Sequence, residues 1–133
     1  MSETLTITFP GGKRVDAQAG AHHISTDQPR SVGGDDTAPS PFTLFLASLG
    51  TCAGIYVLSF CQARGIDPTG VTLTQRVERD RETGALRALV IDVHVPGEFP
   101  AQYRQPLVRA ASACAVKNAI AAQPEFRIDV VSP

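Results

Sequence analysis

The segment from Leu44 to Phe60 is seventeen residues long and has no charged side chain, and it constrains the fold more than any other part of the chain. Ser40 and Pro41 precede it. This pair is typical of a helix start, because serine caps free amides and proline needs no amide partner in the first turn. Gly65 is a typical helix stop. The sequence therefore predicts one helix from Pro41 to about residue 64, apolar on every face.

A helix that is apolar all round must be covered on every side. A membrane span needs about 20 mostly apolar residues, and this run is shorter and is interrupted by serine, glycine and threonine. We therefore expect a helix buried in protein. A chain of 133 residues offers few strands to cover it. A second copy would supply the missing wall, which predicts an intertwined homodimer with this helix near the interface.

Alternating apolar residues predict strands on both sides of the helix. Before it, LTITF, KRVDAQ and HHIST predict three short strands, followed by a loop over residues 27–40. After it, VTLTQRVERD and LRALVIDVHV predict a hairpin. An alanine-rich helix from about Pro106 to Ala121 and a final strand, FRIDVV, complete the chain. The order β-β-β-α-β-β-α-β predicts an α+β fold in one domain, residues 1–133, with antiparallel sheet around the buried helix.

Charge and cysteine content indicate which classes of partner and which cellular compartment to expect. The 12 basic and 13 acidic residues nearly cancel and tryptophan is absent, which argues against nucleic acid and anionic membrane surfaces as partners. The first residues lack the pattern of a signal peptide, so we expect a cytoplasmic protein. Three cysteines fit no disulfide framework in that compartment. Each cysteine is therefore structural, metal-binding or redox-active.

The histidine pair does not suggest a metal site. His22 and His23 are adjacent on a predicted strand, so their side chains point to opposite faces. No pair of cysteines or histidines has the spacing of a zinc site. We expect neither a metal nor a bound organic cofactor.

The cysteines differ in their sequence surroundings. Cys52 and Cys61 lie nine positions apart, which places them about 180° apart around one helix, so they cannot pair. Cys61 follows Phe60 and is typical of a packed core thiol. Small residues surround Cys52 and alanines surround Cys114. Such smooth surfaces allow the Cα separation of about 5.5–6 Å that a disulfide needs. Composition alone does not decide whether Cys52 and Cys114 are redox partners or inert core residues.

The stretch GGDDTAPSPFTLFLASLGTC resembles the signature of the OsmC/Ohr family of peroxidases. It contains a GG loop, a Ser-Pro helix start and a cysteine eleven positions after the proline. AASACAVKNAI resembles the region of the family's second cysteine, and the 62 positions between Cys52 and Cys114 match the family spacing. The element order also agrees, so the resemblance covers nearly the whole chain. It implies an OsmC-like fold, an intertwined homodimer and a thiol-dependent organic hydroperoxide reductase.

The resemblance also implies roles for individual residues. Cys52 matches the peroxidatic thiolate that attacks the O–O bond, and Cys114 matches the resolving thiol that closes a disulfide with it. A lipoyl-type dithiol or a small thiol would then reduce that disulfide. The family stabilises its thiolate with an early arginine, for which Arg14 and Arg30 are the candidates. Because Cys52 lies three turns into its own helix, the N-terminal amides of that helix are too distant to help, and we expect a cation to do so.

Two positions depart from the family pattern. Phe42 stands where the family peroxidases carry the glutamate that holds the arginine, and Ala115 follows the second cysteine where well-studied branches have proline. Phe42 at a pocket mouth suits a fatty or aryl hydroperoxide, and Tyr56, one turn beyond Cys52, is a second candidate for contacting substrate. These departures keep an alternative function open: a non-catalytic dimeric module of the same fold that binds a small apolar ligand in its cleft.

Overall fold

A computed structural model of the chain describes residues 3–133. The elements in order are β1 (Thr6–Gly11), β2 (Arg14–Ala19), β3 (His22–Thr26), α1 (Pro41–Ala63), β4 (Thr72–Arg79), β5 (Leu86–His94), α2 (Arg104–Ala111) and α3 (Ala115–Ala121). This is the predicted α+β fold. The chain divides into two compact units, with the boundary between Ala47 and Ser48. The single-domain organisation expected from the sequence stays a prediction.

The first unit contains an antiparallel sheet in the order β1-β2-β3. The alternating pattern predicted β1 correctly but not its burial, since Ile7 is 51% and Phe9 81% exposed. The apolar face of β1 is therefore open to solvent in the single chain.

Helix α1 begins and ends where its sequence signals predicted. The Ser40 hydroxyl accepts the amide of Thr43 at 3.3 Å, and Gly65 ends the helix with a left-handed φ of +65°. With 23 residues, α1 has the expected length, and by length and composition alone it could cross a membrane. A core helix passes the same test, and α1 contributes Val57 and Cys61 to the core of the second unit.

The second unit is built on the predicted hairpin of β4 and β5. Leu73 pairs with Val93 and Val77 with Leu89, so one face of the hairpin presents aliphatic side chains. The buried cluster in this unit contains Val57, Phe60, Cys61, Phe99 and Leu107. Burial of these side chains supplies the main stabilisation, at about 1.5–3 kcal/mol for each large apolar residue.

The predicted second helix is wrong as a single element, because residues 112–114 interrupt it. The Ser112 hydroxyl donates to the carbonyl of Val108 at 2.8 Å, and the Lys117 ammonium donates to the carbonyl of Ser112 at 2.6 Å. Cys114 then takes an extended ψ of 118° and caps the next helix. The break separates α2 from α3 and directs Cys114 inward.

The predicted last strand is also wrong for the single chain, since residues 124–133 carry no strand. Its alternating apolar side chains are open to solvent, with Phe126 at 85%, Ile128 at 95% and Val130 at 91% exposure. The residue pattern suits a strand, but a strand needs a neighbour for its amides. Among residues 3–133 no strand pairs with this segment.

Candidate thiol site

Two helices of the second unit bring the predicted cysteine pair together. Cys52 lies on α1 and Cys114 caps α3. Cys114 is buried, with 3% of its surface exposed, whereas Cys52 is half-buried, and both thiols are free. The Cys114 thiol lies near enough to the sulfur of Cys52 to lower its pKa. The contact joins two residues 62 positions apart in the sequence.

Three donors converge on the sulfur of Cys52 and lower its pKa below the ordinary value of 9.0. The backbone amide of Val116 has the largest effect, followed by the thiol of Cys114, and the amide of Ala115 adds a smaller one. Partial burial opposes these donors. The net result favours the thiolate, which is the nucleophilic form of cysteine.

Two of these three donors are free amides at the start of α3, which have no partner within that helix. We expected a cation at Cys52 because the start of its own helix is three turns away. Tertiary packing presents the first turn of another helix to this sulfur, and the cation stays a prediction. The sequence signal for this was present but indirect: Cys114 immediately precedes a short helical run.

Cys114 has its own set of partners. Its sulfur accepts the amide of Lys117 at 3.3 Å, which caps α3. Its thiol donates to the carbonyl oxygen of Leu49 on α1 at 3.8 Å. Cys114 therefore contributes both to the helix start and to the contact with Cys52.

A cavity of about 490 Å³ opens beside this pair. Its walls are mainly aliphatic side chains from α1, β5 and α2, among them Leu49, Leu89, Ile91 and Val108. Lys117, Asp92 and Ser112 add polar groups. Among the described residues, Cys114 lies in the wall and Cys52 does not. The volume falls within the usual range for small-ligand sites.

Cys61 differs from Cys52 although both lie on α1. It is fully buried in the core cluster, and burial raises its pKa, with the Arg64 guanidinium opposing this. Arg64 lies 3.6 Å above the ring of Phe60. Cys61 is therefore held as an inert core thiol.

Both candidate arginines belong to the first unit. Arg14 begins β2 opposite Gly11, and Arg30 lies in a short 3₁₀ helix of the following loop. Both are exposed. The turn between β1 and β2 lies against the loop that carries Arg30, since the Lys13 side chain packs at Gly33. One region of this unit therefore carries both arginines.

The loop that carries Arg30 is fixed by Asp27, which the sequence reasoning did not single out. Asp27 is 1% exposed and accepts bonds from the Thr37 hydroxyl at 2.6 Å and the Gln28 amide at 2.7 Å. The bonds from Thr37 lower its pKa from 3.8 to about 2. An aspartate at the start of a Gly-rich loop is a weak but readable signal for such a turn.

The GG pair in this loop has two distinct structural requirements. Gly33 has a left-handed φ of +94°, which favours glycine. At Gly34 a Cβ would overlap the carbonyl oxygen of Gln28. The two glycines thus keep the loop closed on itself.

The two predicted substrate-contacting residues lie in different units. Phe42 is in the first turn of α1, with its ring centroid 5.5 Å from that of Phe45. Tyr56 belongs to the second unit and is 36% exposed, next to Ile55 at 53%. Both aromatic residues therefore have accessible surface.

The histidine pair lies in the first unit. The His23 ring is 3.0 Å from the Asp16 carboxylate and 3.2 Å from the Gln18 side chain. Within residues 3–133, no group of three or more His, Cys, Asp or Glu side chains is arranged to hold a metal ion.

Comparison with known proteins identifies relatives by family and by fold. The sequence model described as OsmC-like protein matches residues 33–129. No curated protein sequence matches the chain. Among solved structures, a Psychrobacter arcticus protein provisionally described as an osmotic stress induced and detoxification response protein shares 22% identity and a TM-score of 0.73, with 90% of this chain and 88% of that chain covered.

Two further solved structures give the same fold. An OsmC-like protein from Mycoplasma pneumoniae has 13% identity and a TM-score of 0.71 over 92% of this chain and 89% of its own. An organic hydroperoxide resistance protein from Elizabethkingia anophelis has 23% identity and a TM-score of 0.61 over 92% and 90%. At these identities the likeness concerns the fold.

Proposed function

Because the chain belongs to the OsmC-like family, we propose that it is a thiol-dependent organic hydroperoxide reductase in which Cys52 attacks and Cys114 resolves. The observation that supports the proposal most is that Cys114 lies next to Cys52 and lowers its pKa. The sulfur of Cys52 is activated by α3 amides, and a second thiol is already in contact with it.

The first step is attack of the Cys52 thiolate on the terminal oxygen of a hydroperoxide. The O–O bond breaks, Cys52 becomes a sulfenic acid, and the alkoxide leaves and takes up a proton to become an alcohol. Donors at the Cys52 sulfur favour this step by populating the thiolate. Arg14 or Arg30 is the proposed cation that polarises the peroxide, and Phe42 and Tyr56 are the proposed apolar contacts.

The second step closes the disulfide. The Cys114 sulfur attacks the sulfenic sulfur of Cys52, its thiol proton leaves with the hydroxyl group as water, and an S–S bond forms. A dithiol, or two equivalents of a small thiol, then restores both thiols by exchange. No metal or organic cofactor takes part in this proposed cycle.

We propose that the protein works as a cytoplasmic homodimer. Three free cysteines suit a reducing compartment. Ile55 and Tyr56 leave an exposed apolar stripe on α1, and Ile7 and Phe9 leave another on β1. Contiguous exposed apolar surface is typical of an interface, so a second copy is the proposed cover.

Titration of free thiols after one equivalent of an organic hydroperoxide tests the proposal. The wild-type protein is expected to lose two thiols per chain quickly, and Cys52→Ser to lose none. Cys114→Ser should permit the first oxidation but let Cys52 advance to sulfinic acid. Survival of the wild-type thiols through an hour of exposure contradicts the proposal. If Cys114→Ser blocks the first oxidation, the two roles are reversed.

The cavity favours a second candidate function, namely binding of a small apolar ligand without turnover. Its largely aliphatic wall suits such a ligand. This candidate is favoured if an apolar fluorescent probe binds wild type and Cys52→Ser equally while peroxide leaves the thiols intact.

A further inference from the structure

We propose that the cavity of the second unit binds a medium-chain monocarboxylate, with the apolar chain along the aliphatic wall and the carboxylate on the Lys117 ammonium. The inference goes beyond the proposed reductase, because such a ligand has no O–O bond to cleave. It gives the second candidate function a ligand with a defined head group and a defined chain.

The cavity is built entirely within the second unit. Its lining residues come from α1, β5, α2, the break after α2 and the first turn of α3, and all of them lie in the range 48–133. Of the three cysteines, which all belong to the described part of the chain, Cys114 alone lines the cavity. A bound molecule therefore contacts the thiol that is proposed to resolve and not the one that is proposed to attack.

The wall of the cavity suits an unbranched hydrocarbon chain. Aliphatic side chains form most of this wall, namely Leu49, Leu89, Ile91, Val93 and Val108. Burial of each methylene group of a ligand against such a surface raises its affinity by about threefold to fourfold. The volume of about 490 Å³ lies in the lower half of the range for small-ligand sites, which favours a chain of moderate length.

A positioned cation lies in the same wall. Among the described residues, Lys117 is the one basic side chain that lines the cavity. Its ammonium donates to the carbonyl oxygen of Ser112 at 2.6 Å, and within residues 3–133 no carboxylate forms an ion pair with it. An ammonium group has three donors, so two remain for a ligand. A carboxylate accepts such donors in short, charge-assisted hydrogen bonds.

The acidic residue of the wall, Asp92, does not cancel this positive charge. Adjacent residues of a strand point to opposite faces, and Ile91 and Val93 on either side of Asp92 both line the cavity. The Asp92 carboxylate lies 4.0 Å from the Arg76 guanidinium, and its side chain is 58% exposed. Its charge is therefore directed to Arg76 and to solvent, and the cavity presents Lys117 to a head group.

Three ligands with one chain and different head groups test the charge requirement. Isothermal titration calorimetry on the full-length wild-type protein compares octanoate, 1-octanol and octylamine at neutral pH. We expect octanoate to bind about tenfold more tightly than 1-octanol, because hydrogen bonds to charged groups are the stronger ones, and octylamine to bind most weakly. Equal affinities for octanoate and 1-octanol contradict the role of Lys117. Failure of all three to bind overturns the proposal, and is the result expected if a second copy fills the cavity.

Variants of Lys117 test the position of the head group. Lys117→Gln removes the charge, and Lys117→Arg keeps it. We expect Lys117→Gln to weaken octanoate binding by about tenfold while 1-octanol binding stays unchanged, and Lys117→Arg to bind both as wild type does. Lys13→Gln is the matched control, because Lys13 is the other lysine of the chain and belongs to the first unit. If Lys117→Gln weakens both ligands equally, Lys117 acts only through structure and the assignment is wrong.

Filling the cavity tests where the chain binds. Val108 lines the cavity and is 50% exposed, so Val108→Trp can be accommodated without overpacking the core. Ile120→Trp is the matched control, since Ile120 is 44% exposed and lies outside the lining. We expect Val108→Trp to weaken octanoate and 1-octanol alike by about tenfold or more, because the loss of two buried methylene contacts has an effect of this size. Equal affinities in the two tryptophan variants contradict binding in the cavity.

The outcome does not depend on the proposed reductase. Octanoate cannot oxidise a thiol, so its binding is measured without any peroxide chemistry. If octanoate binds as expected while hydroperoxide leaves the thiols intact, the reductase proposal fails and the ligand site stands. If hydroperoxide oxidises the thiols but octanoate does not bind, the ligand site fails and the reductase proposal stands.

Discussion

At the scale of single residues, Cys52 owes its predicted reactivity to backbone amides. Val116→Pro removes the donor with the largest effect, and proline is tolerated in the first turn of a helix. We expect the pH midpoint of Cys52 alkylation to rise toward 9.0 in this variant. Val116→Ala, which keeps the amide, should leave the midpoint in place. The two variants are compared by iodoacetamide kinetics across pH, and equal midpoints would refute the assignment.

Ala115 matters for the same reason. Its amide donates to Cys52, and proline at this position, as in well-studied branches of the family, has no amide to give. Alanine at this position, which departs from the family pattern, therefore supplies a hydrogen-bond donor to the Cys52 sulfur. This adds to thiolate stabilisation in a chain where the sequence resemblance places Phe42 at the position of a glutamate.

Asp27 is the residue whose protonation should most affect the loop. Its pKa falls from 3.8 to about 2 on folding, so its contribution to stability is present above pH 3.8 and is lost as the pH falls through about 2. We expect Asp27→Asn to be less stable than wild type at neutral pH. The difference should shrink between pH 4 and pH 2, as measured by urea unfolding at each pH. A difference that does not change with pH would contradict the role of the charge.

At the scale of elements, the end of α1 depends on Gly65. Its left-handed φ of +65° costs an alanine about 1–2 kcal/mol, so Gly65→Ala should lower the free energy of unfolding by that amount. Gly97→Ala is the control, because Gly97 has no positive φ and open space around it. Urea unfolding measures both, and equal losses would show that conformation at Gly65 is not the cause.

Local signals predicted the elements that they control. Ser40, Pro41 and Gly65 predicted the ends of α1. The alternation of apolar residues on both sides of the turn at Thr83 predicted the hairpin. The break at residues 112–114 was missed because the alanine-rich run favours helix throughout. Its cause is a cap by Cys114 and a bond from Lys117 to Ser112, which are local contacts that alanine content does not reveal. The amide donors at Cys52 were missed for a different reason, since they come from a helix distant in sequence.

At the scale of the whole molecule, the exposed stripe on α1 predicts self-association. We expect light scattering to give about twice the 14.1 kDa of one chain. Ile55→Asp should shift the mass toward that of one chain, because burying an unpaired carboxylate in an interface is strongly unfavourable. Arg81→Asp, in the β4–β5 turn, is the control and should remain associated. A wild-type protein of single-chain mass would remove the dimer proposal.

The interruption between α2 and α3 has a thermodynamic consequence. The amides of Ala115 and Val116 bind the Cys52 sulfur, so ionisation of that sulfur and order in the first turn of α3 are linked. Linkage is reciprocal. A thiolate at Cys52 stabilises the turn, and any change that stabilises the turn favours the thiolate. Oxidation to the disulfide removes the charge, so the start of α3 should loosen when the pair closes and tighten when it opens.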